Sequence, residues 1–413
     1  MKVLRLPTYC YPEVFSSSHL ENDRYSAYED NKIELLVYTP MPSRGIDDLT
    51  REKYSKVKYE ELNNGYVKIH RFSMFKEPKN TILRALRYIL INHKQYKLAS
   101  KAKDIDVIYG ASTPPTQGLY CAKLKKKLSK KYKKNVPFVY NLQDVFPDSL
   151  STTGIAKKGS LIYKIGNKIA NKIYNAADVI IVIGEDMKSN IMAKGVPEGK
   201  IQVVYNWINT DTVNYIPKEQ NALYKELNLN PNTFKIVYAG NLGKAQGLDT
   251  LIDTAEILKD HENIEFIIFG KGAEEAALKK RAEGMKNIKF FPLLPVERVP
   301  EVYSIADACV VCCKKGTGGS GFPSKTWTIM GCARPLLVAF DEGELTNTVN
   351  NNLLGIATEA ESANALSESI LKLCNDKKLC KEMGTNARRF VENNASKKIC
   401  TDKYVEIIKS SSK

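Results

Sequence analysis

The chain has 413 residues, of which 43% are hydrophobic and 26% are charged, a composition typical of soluble globular proteins. A chain of this length is too long to form one ordinary hydrophobic core, and it indicates two domains of about 200 residues each. No apolar run approaches the roughly 18–20 residues that span a bilayer, and the first residues lack a signal-peptide core. We therefore expect the protein in the cytosol or on a membrane surface that faces it.

The net charge of +16 is concentrated in the first half of the chain. Residues 51–134 hold 22 Lys and Arg against 6 Asp and Glu, so the charges of the remaining residues cancel. A charge run is most often a solvated helix face, but its confinement to one region favours an acidic partner surface; anionic lipid headgroups and nucleic acid both qualify. The basic residues that we expect at this surface are Arg84, Arg87, Lys125, Lys126 and Lys127.

The first half alternates strand-like and helix-like segments, the pattern of a doubly wound parallel sheet. The predicted strands are Val3–Pro7, Lys32–Thr39, Val67–Arg71, Asp106–Gly110, Pro137–Asn141, Asp178–Ile183 and Lys200–Tyr205. Ligands of such sheets bind beyond the carboxyl ends of the strands. There, the Ser-rich turn 16–18 could present N–H groups to a phosphate, and Asp144 follows a later strand directly. Asp148 is either a second site carboxylate or a helix cap.

A polar, Asn-rich segment, 209–233, is predicted to link two domains. The second half has predicted strands at Lys235–Ala239, Glu265–Phe269, Ile288–Phe291, Ala308–Cys313 and Leu336–Phe340, and predicted closing helices at 362–374, 376–392 and 397–409. The expected architecture is α/β, with two facing Rossmann-like domains and a cleft between them. The expected divisions are an acceptor- or membrane-facing domain at 1–208, a nucleotide-binding domain at 234–392, and a helix at 393–413 that packs back on the first domain.

The loop Gly240–Gly247 follows the first strand of the second domain and precedes a predicted helix, 248–258. A glycine-rich turn from strand to helix lets backbone N–H groups approach an anion at the positive end of the helix dipole. The alternative is that the glycines only permit close packing of the helix on the sheet. A second turn of this kind is Gly270-Lys271-Gly272.

The stretch 314–325 combines glycines with hydroxyl groups and leads into a helix whose first turn contains Pro323. Lys325 would stand beside the helix N-terminus, where it repels the dipole unless an anion is bound. This mismatch favours a phosphate ligand over a merely flexible loop.

The nine cysteines are an odd number, so at least one has no partner within the chain. Cys309 and Cys312 have metal-ligand spacing, but neither a second pair nor a His pair accompanies them. We expect reduced, buried thiols and no metal site.

An ordered set of motifs resembles glycosyltransferase family 4, whose members are retaining GT-B enzymes with nucleotide-sugar donors. The motifs are Gly240–Gly247, Gly270-Lys271-Gly272 and the helix from Pro323-Ser324-Lys325 to Arg334-Pro335-Leu336-Leu337. The segments 143–149 and 205–209 resemble one subgroup, which builds bacterial O-antigen and capsule repeat units and includes N-acetylfucosamine transferases. The resemblance covers nearly the whole chain.

The resemblance implies a metal-independent hexosyltransferase without a cofactor and with a nucleotide-diphosphate sugar, expected to be a UDP-sugar, as donor. It implies catalytic roles for Asp144, Lys244 and Lys325. The implied donor-binding residues are Ser16, Ser17, Ser18, Gly240, Asn241, Gly243, Gly270, Gly272, Leu293, Gly321, Pro323, Ser324 and Thr328.

Two departures from the family pattern are visible. Many members carry Arg and Lys where this chain has Asn241 and Gln246, so Lys244 is the loop's only cation. Many also carry a ribose-binding Glu where this chain has Thr328, and another Glu upstream where it has Gly319-Ser320.

These features predict a retaining glycosyltransferase that acts on a lipid-linked saccharide acceptor in capsule or O-antigen polysaccharide synthesis. Its expected partners are the nucleotide sugar, the acceptor and the anionic inner face of the plasma membrane, and nucleic acid is not expected. A nucleotide-sugar epimerase is an alternative that needs no acceptor or membrane. A nucleic-acid-binding protein is a third hypothesis, although the basic window lacks a zinc-finger, RNP-like or helix-turn-helix signature. A hydrolase using Asp144 and Asp148 would not need phosphate loops.

Overall fold

The computed structural model describes residues 1–15, 18–78, 80–152, 156–318 and 321–412. The chain divides into two compact units. Unit 1 comprises Met1–Tyr205 and Cys400–Lys413, and unit 2 comprises Asn206–Ile399. Each unit is built on a largely parallel sheet with helices, so the predicted α/β class is confirmed.

Within its described residues, unit 1 contains an eight-stranded sheet. Its strands are β1 Lys2–Arg5, β2 Glu34–Pro40, β3 Tyr59–Leu62, β4 Val67–Phe72, β5 Val107–Ala111, β6 Phe138–Leu142, β7 Val179–Val182 and β8 Ile201–Val203. Its helices are α1 Ser18–Asp30, α2 Asp48–Tyr54, α3 Thr81–Ala99, α4 Gln117–Tyr132, α5 Asp148–Thr152, α6 Leu161–Ala176 and α7 Glu185–Ala193. The strand order is β3-β4-β2-β1-β5-β6-β7-β8, and the β3–β4 pair is antiparallel.

The interior strands of unit 1 are apolar because helices cover a parallel sheet on both faces. Every residue of β6 is buried, and β6 pairs in parallel with β5 and β7. The edge strand β3, by contrast, alternates exposed and half-buried residues. The core of the unit therefore lies under the central strands.

The helix α16, Lys397–Ser411, contributes its later part to unit 1, which includes Cys400–Lys413. Tyr404 is buried and donates a hydrogen bond to Asn141 Oδ1 at 3.1 Å. Lys409 Nζ donates to Asn31 Oδ1 at 2.8 Å. This C-terminal segment is thus part of the core and surface of unit 1.

Within its described residues, unit 2 contains a six-stranded sheet whose neighbouring pairs are all parallel. Its strands are β9 Phe234–Asn241, β10 Ile264–Lys271, β11 Ile288–Phe291, β12 Ala308–Cys312, β13 Leu336–Phe340 and β14 Gly355–Glu359. Its helices are α8 Leu223–Glu226, α9 Asp249–Ile257, α10 Glu275–Arg281, α11 Val299–Ser304, α12 Ser324–Gly331, α13 Glu344–Asn351, α14 Ala363–Asn375 and α15 Lys377–Asn394. The strand order is β11-β10-β9-β12-β13-β14.

The centre of unit 2 is apolar, and every residue of β12 and β13 is buried. Four of the nine cysteines lie there with free, buried thiols, namely Cys309, Cys312, Cys313 and Cys332. None of the nine cysteines, all of which the structure describes, forms a disulfide, and Cys374 and Cys380 are only half-buried. The expectation of reduced thiols stays a prediction.

Candidate functional site

The sheet of unit 2 has a topological switch point between β9 and β12. From β9 the chain adds β10 and β11 on one side, and it then adds β12, β13 and β14 on the other. The loops that follow β9 and β12 leave the same edge of the sheet because the two strands are parallel. Ligands of open α/β sheets bind at such a point. The candidate site therefore comprises the loop 242–248, residues 313–318 and 321–323, and the start of α12.

Two glycines of the first loop have backbone conformations that side chains rarely adopt. Gly240 has a φ of +146°, and a Cβ there would lie 3.0 Å from Lys325 Nζ. Gly247 has a φ of +56°, and a Cβ there would lie 2.8 Å from backbone atoms of Cys313. The first glycine allows a lysine to approach the backbone, whereas the second allows the two loops to pack together.

The loop after β12 is held by hydrogen bonds that need no ligand. Lys314 N donates to Ala245 O at 2.9 Å, and Thr317 Oγ1 donates to the same oxygen at 2.9 Å. Asp341, which directly follows β13, accepts hydrogen bonds from the N–H groups of Gly316 and Gly318, both at 2.9 Å. The carboxylate of Asp341 thus orders residues 316–318 of this loop. The sequence reasoning missed Asp341, although its position after a buried strand was a usable signal.

Lys325 is a half-buried cation at the start of α12. The N-cap residue Pro323 offers no side-chain hydrogen bond, and the first turn contains no acidic residue. Lys325 Nζ lies 3.8 Å from the centre of the Tyr238 ring, and Tyr238 Oη donates to Asn241 O at 2.7 Å, which fixes the ring. Lys325 forms no ion pair with a described carboxylate. Burial lowers the pKa of Lys325 to about 8, and Cys312 acts weakly in the opposite direction. An anion bound here would stabilise both the cation and the uncapped helix start.

The remaining predicted residues of the first loop take different roles. Lys244 is exposed at the start of a short helical turn. Asn241 Nδ2 donates to Gln246 Oε1 at 3.2 Å. A Cβ on Gly270 or Gly272 would lie 2.5 or 2.4 Å from atoms of Leu242. Tight packing of the turn after β10 against the first loop therefore accounts for these two glycines.

The other predicted donor-binding residues of unit 2 lie on three neighbouring segments. Gly321 and Pro323 directly precede α12, and Ser324 is exposed at its first position. Thr328 lies in the second turn of α12 and is half-buried. Leu293 follows β11, and its side chain is 50% exposed. The structure brings Lys325 directly against Gly240, and it gives the others positions along the same edge of the sheet.

The predicted phosphate-facing turn of unit 1 is only partly described. Ser18 is the first residue of α1, and Ser16 and Ser17 lie outside the described residues. Glu13, in the same loop, was not predicted. Its buried carboxylate accepts hydrogen bonds from the N–H groups of Cys10, Ser43 and Arg44 at 2.8–3.0 Å. Burial raises the pKa of Glu13 despite these bonds, and we assign the residue to loop structure.

The two carboxylates after β6 differ in their surroundings. Asp144 is exposed to solvent, and desolvation by neighbouring protein atoms raises the pKa of its carboxyl. Burial alone would also raise the pKa of Asp148. Hydrogen bonds from Lys194 at 2.6 Å, Tyr163 at 2.6 Å and Asn190 at 3.1 Å nevertheless lower it. The carboxylate of Asp148 is therefore held by three neighbouring side chains of unit 1.

Comparisons with known proteins connect this geometry to a family. Residues 27–212 match the family described as Glycosyltransferase Family 4, and residues 219–390 match Glycosyl transferases group 1. The chain is 25% identical to the probable glycosyltransferase WbjE of Pseudomonas aeruginosa, over 76% of each chain. It is 27% identical to the putative colanic acid biosynthesis glycosyl transferase WcaI of Escherichia coli K12, over 66% of this chain and 67% of that one. The chain is a GT-B-type glycosyltransferase.

The fold of this glycosyltransferase is also that of a solved relative. HepE from Anabaena, in a crystal structure in complex with UDP, superposes with a TM-score of 0.73. The sequences are 17% identical, and the match covers 99% of this chain and 100% of HepE. At this identity, the comparison shows the fold.

Two of the basic residues predicted to contact an acidic surface are used inside unit 1 of the glycosyltransferase. Arg87 is 1% exposed and donates to Phe75 O at 2.9 Å, so its predicted place at an acceptor or membrane surface is wrong. Lys125 pairs with Asp178 at 2.7 Å and donates to Ala176 O at 3.1 Å. These bonds take Lys125 out of the set of free surface cations.

The other three predicted basic residues remain accessible. Lys126 and Lys127 are exposed on α4, and Lys127 Nζ lies 5.4 Å from the centre of the Tyr96 ring. Arg84 is half-exposed on α3, with Glu77 Oε1 at 4.0 Å. These side chains can contact an acidic surface without breaking a buried interaction.

Two helices of unit 1 expose apolar side chains near their N-termini, which we call the apolar helix surface. Its members are Ile82, Leu83, Leu86, Ile89 and Leu90 on α3, and Leu161, Ile162 and Ile165 on α6, with exposures from 42% to 79%. Both α3 and α6 pack against α4. None of the described helices is both long enough and apolar enough to cross a bilayer.

The part of the glycosyltransferase that the structure describes offers no cluster of metal ligands. No group of three or more His, Cys, Asp or Glu side chains is placed there to hold a metal ion. The expectation of a metal-independent reaction stays a prediction.

Proposed function

We propose that this glycosyltransferase is a retaining enzyme that transfers a sugar from a UDP-sugar to a lipid-linked saccharide acceptor in surface polysaccharide synthesis. The single observation that carries the proposal is Lys325. Its ammonium group lies against Gly240 at the switch point of unit 2 and forms no ion pair with a described carboxylate. A donor diphosphate would supply the missing anion.

The proposed reaction explains why a cation is needed at this place. When the bond between the sugar and the diphosphate breaks, negative charge grows on the leaving diphosphate. Lys325 and the first N–H groups of α12 would stabilise that charge more in the transition state than in the ground state. Lys244, exposed on the neighbouring loop, is proposed to add a second cation, because Asn241 and Gln246 carry none.

Asp144 is proposed to lie beside the transferred sugar. Its carboxylate is accessible at the carboxyl end of β6, whereas Asp148 is occupied by Lys194, Tyr163 and Asn190. The choice of UDP is supported by HepE, which was crystallised with UDP. Surface polysaccharide as the product is supported by WcaI, whose name refers to colanic acid biosynthesis.

The proposal is tested by calorimetry with a panel of nucleotide sugars, followed by measurement of UDP release with and without a lipid-linked acceptor. We expect one nucleotide sugar to bind and UDP to be released only with acceptor. Lys325→Met should weaken binding by about tenfold or more, because a charged hydrogen bond to the diphosphate is lost. Lys280→Met, on the exposed side of α10, is the matched control and should bind normally. Lack of binding to any nucleotide sugar, or conversion of a nucleotide sugar without acceptor, would contradict the proposal.

Peripheral attachment to the inner membrane face is the second part of the proposal. The apolar helix surface would enter the headgroup region, and the accessible cations Arg84, Lys126 and Lys127 would meet anionic lipids. An acceptor carried on a lipid would then be presented to unit 1 at the membrane.

Vesicle cosedimentation tests this attachment with a double substitution and a matched control. Ile82→Gln with Leu161→Gln replaces side chains that are 79% and 73% exposed. Because the two polar side chains no longer insert into the membrane, the free energy of membrane binding should weaken by about 3 kcal/mol, or about a hundredfold in partitioning. The control, Leu49→Gln with Val296→Gln, replaces side chains that are 80% and 76% exposed outside the apolar helix surface. Equal partitioning of the two variants into anionic vesicles would refute a specific membrane surface.

A further inference from the structure

Unit 2 contains a cavity of about 830 Å³ that lies away from the candidate donor site. Its lining includes Phe234 at the start of β9, Asp307 before β12 and Pro335 before β13. These residues mark the amino ends of the strands, whereas the donor loops leave the carboxyl ends. We call this space the basic cavity because most of its charged lining residues are cations.

The charged side chains of the basic cavity are mostly cations. Lys218, Arg334, Lys377 and Lys381 line it, and Asp307 is its acidic lining residue. Asp307 Oδ2 already accepts a hydrogen bond from Lys235 N at 2.7 Å. Neither Lys377 nor Lys381 forms an ion pair with a described carboxylate. The cavity therefore has an excess of positive charge that the described part of the chain does not neutralise.

Two of these cations lie close together on one helix. Lys377 and Lys381 are four residues apart at the start of α15, where Asp376 caps the helix by accepting a hydrogen bond from Leu379 N at 2.9 Å. Like charges at this spacing repel each other. A bound anion would offset this repulsion.

Arg334 supplies an independent observation. Its guanidinium lies over the Tyr215 ring at 4.1 Å, and its Nη2 donates to Ser304 O at 3.2 Å. Its Nε is buried and has no hydrogen-bond partner among the described atoms. Because Nε is enclosed by protein atoms, a phosphate would contact the other N–H groups of this guanidinium, which the aromatic ring holds in one plane.

We propose that the basic cavity binds a phosphorylated small molecule, at a second site of unit 2 distinct from the donor site. The phosphate would lie among Arg334, Lys377 and Lys381, and the remaining volume would hold the organic part, since cavities of about 300–1,000 Å³ are typical of small-molecule sites. Residues 215–218 and 231–233 also line the cavity. A bound ligand would therefore contact both the first segment of unit 2 and α15. This proposal holds whether or not the chain transfers sugars.

Binding is measured by calorimetry on the full chain with two probes, inorganic phosphate and a hexose 6-phosphate, at constant ionic strength. Excess UDP is present throughout, so that the donor site is occupied. We expect saturable binding, tighter for the hexose phosphate, which fills more of the cavity. Lys377→Gln with Lys381→Gln should weaken it by about tenfold or more.

The matched control is Lys372→Gln with Lys378→Gln, which removes the same charge from exposed positions outside the cavity lining. It should bind both probes as the wild type does. Absence of saturable binding in the wild type, equal loss in both double variants, or no loss in either would overturn the proposal. Binding that appears only when UDP is omitted would also overturn it, since the phosphate would then occupy the donor site.

Discussion

The lowered pKa of Lys325 makes donor binding depend on pH in a range where most lysines do not titrate. The free protein has a pKa of about 8 at this residue because burial disfavours the ammonium form. A diphosphate beside the nitrogen favours the ammonium form, so binding takes up protons and affinity falls as the pH rises through 8. The charged fraction drops from about nine tenths at pH ~7 to about one tenth at pH ~9. The dissociation constant of UDP should therefore increase about tenfold over this range.

Calorimetry at several pH values, in two buffers with different ionisation enthalpies, gives both the affinity and the proton uptake. About half a proton should be taken up per UDP at pH ~8. The phosphates of UDP, with a pKa of about 6, do not titrate in this window. Lys325→Arg stays charged and should show a nearly flat profile. A wild-type affinity that does not change with pH, or an arginine variant that loses affinity equally, would refute the reasoning.

Three further predictions concern the loops and turns of unit 2. Gly247→Ala should destabilise the protein by about 2–4 kcal/mol in urea titration, because Gly247 has a positive φ and an added Cβ would lie 2.8 Å from the backbone of Cys313. The control is Gly199→Ala, where an added Cβ has no neighbour within 4 Å, and its stability should be nearly unchanged. Ala333 has a φ of +52°, so Ala333→Gly should raise the free energy of unfolding by about 1 kcal/mol in urea titration, and a lowered free energy of unfolding would contradict the strain. Asp341→Ala removes the acceptor for two N–H groups and should weaken UDP binding about tenfold, as measured by calorimetry. Asp341→Asn should have an affinity between those of the wild type and Asp341→Ala. Unchanged affinity in both variants would show that UDP binding does not depend on the order of this loop.

The alternation of apolar runs and helical patterns was sufficient to predict most strands of both sheets. It missed β3 and β14, which lie at the edges of their sheets. β3 is Tyr59–Leu62, with two glutamates, and β14 begins with Gly355. Edge strands bury only part of their surface, so their residues need not be apolar, and local sequence carries little sign of their pairing.

The candidate site was predictable where the signal is local. Lys325 was predicted because a lysine at a helix start is unfavourable next to the helix dipole. The residues that indicate this helix start are adjacent to Lys325 in the sequence. Asp341 was missed because its partners are N–H groups 23 and 25 residues earlier in the chain. Arg87 was misplaced for a related reason, since charge spacing alone does not show that one arginine of an amphipathic helix is buried against Phe75.

The division of α16 has a consequence for the order in which the protein is made. Residues 1–205 leave the ribosome first, but Tyr404, which contacts Asn141 and the Tyr109 ring, is synthesised only after all of unit 2. Domains generally fold as units during synthesis, the first before the second. Here unit 2 has its whole sequence available before unit 1 does. The core of unit 1 therefore stays incomplete until α16 has been synthesised. A chain that stops before residue 400 would leave that core exposed to chaperones and proteases.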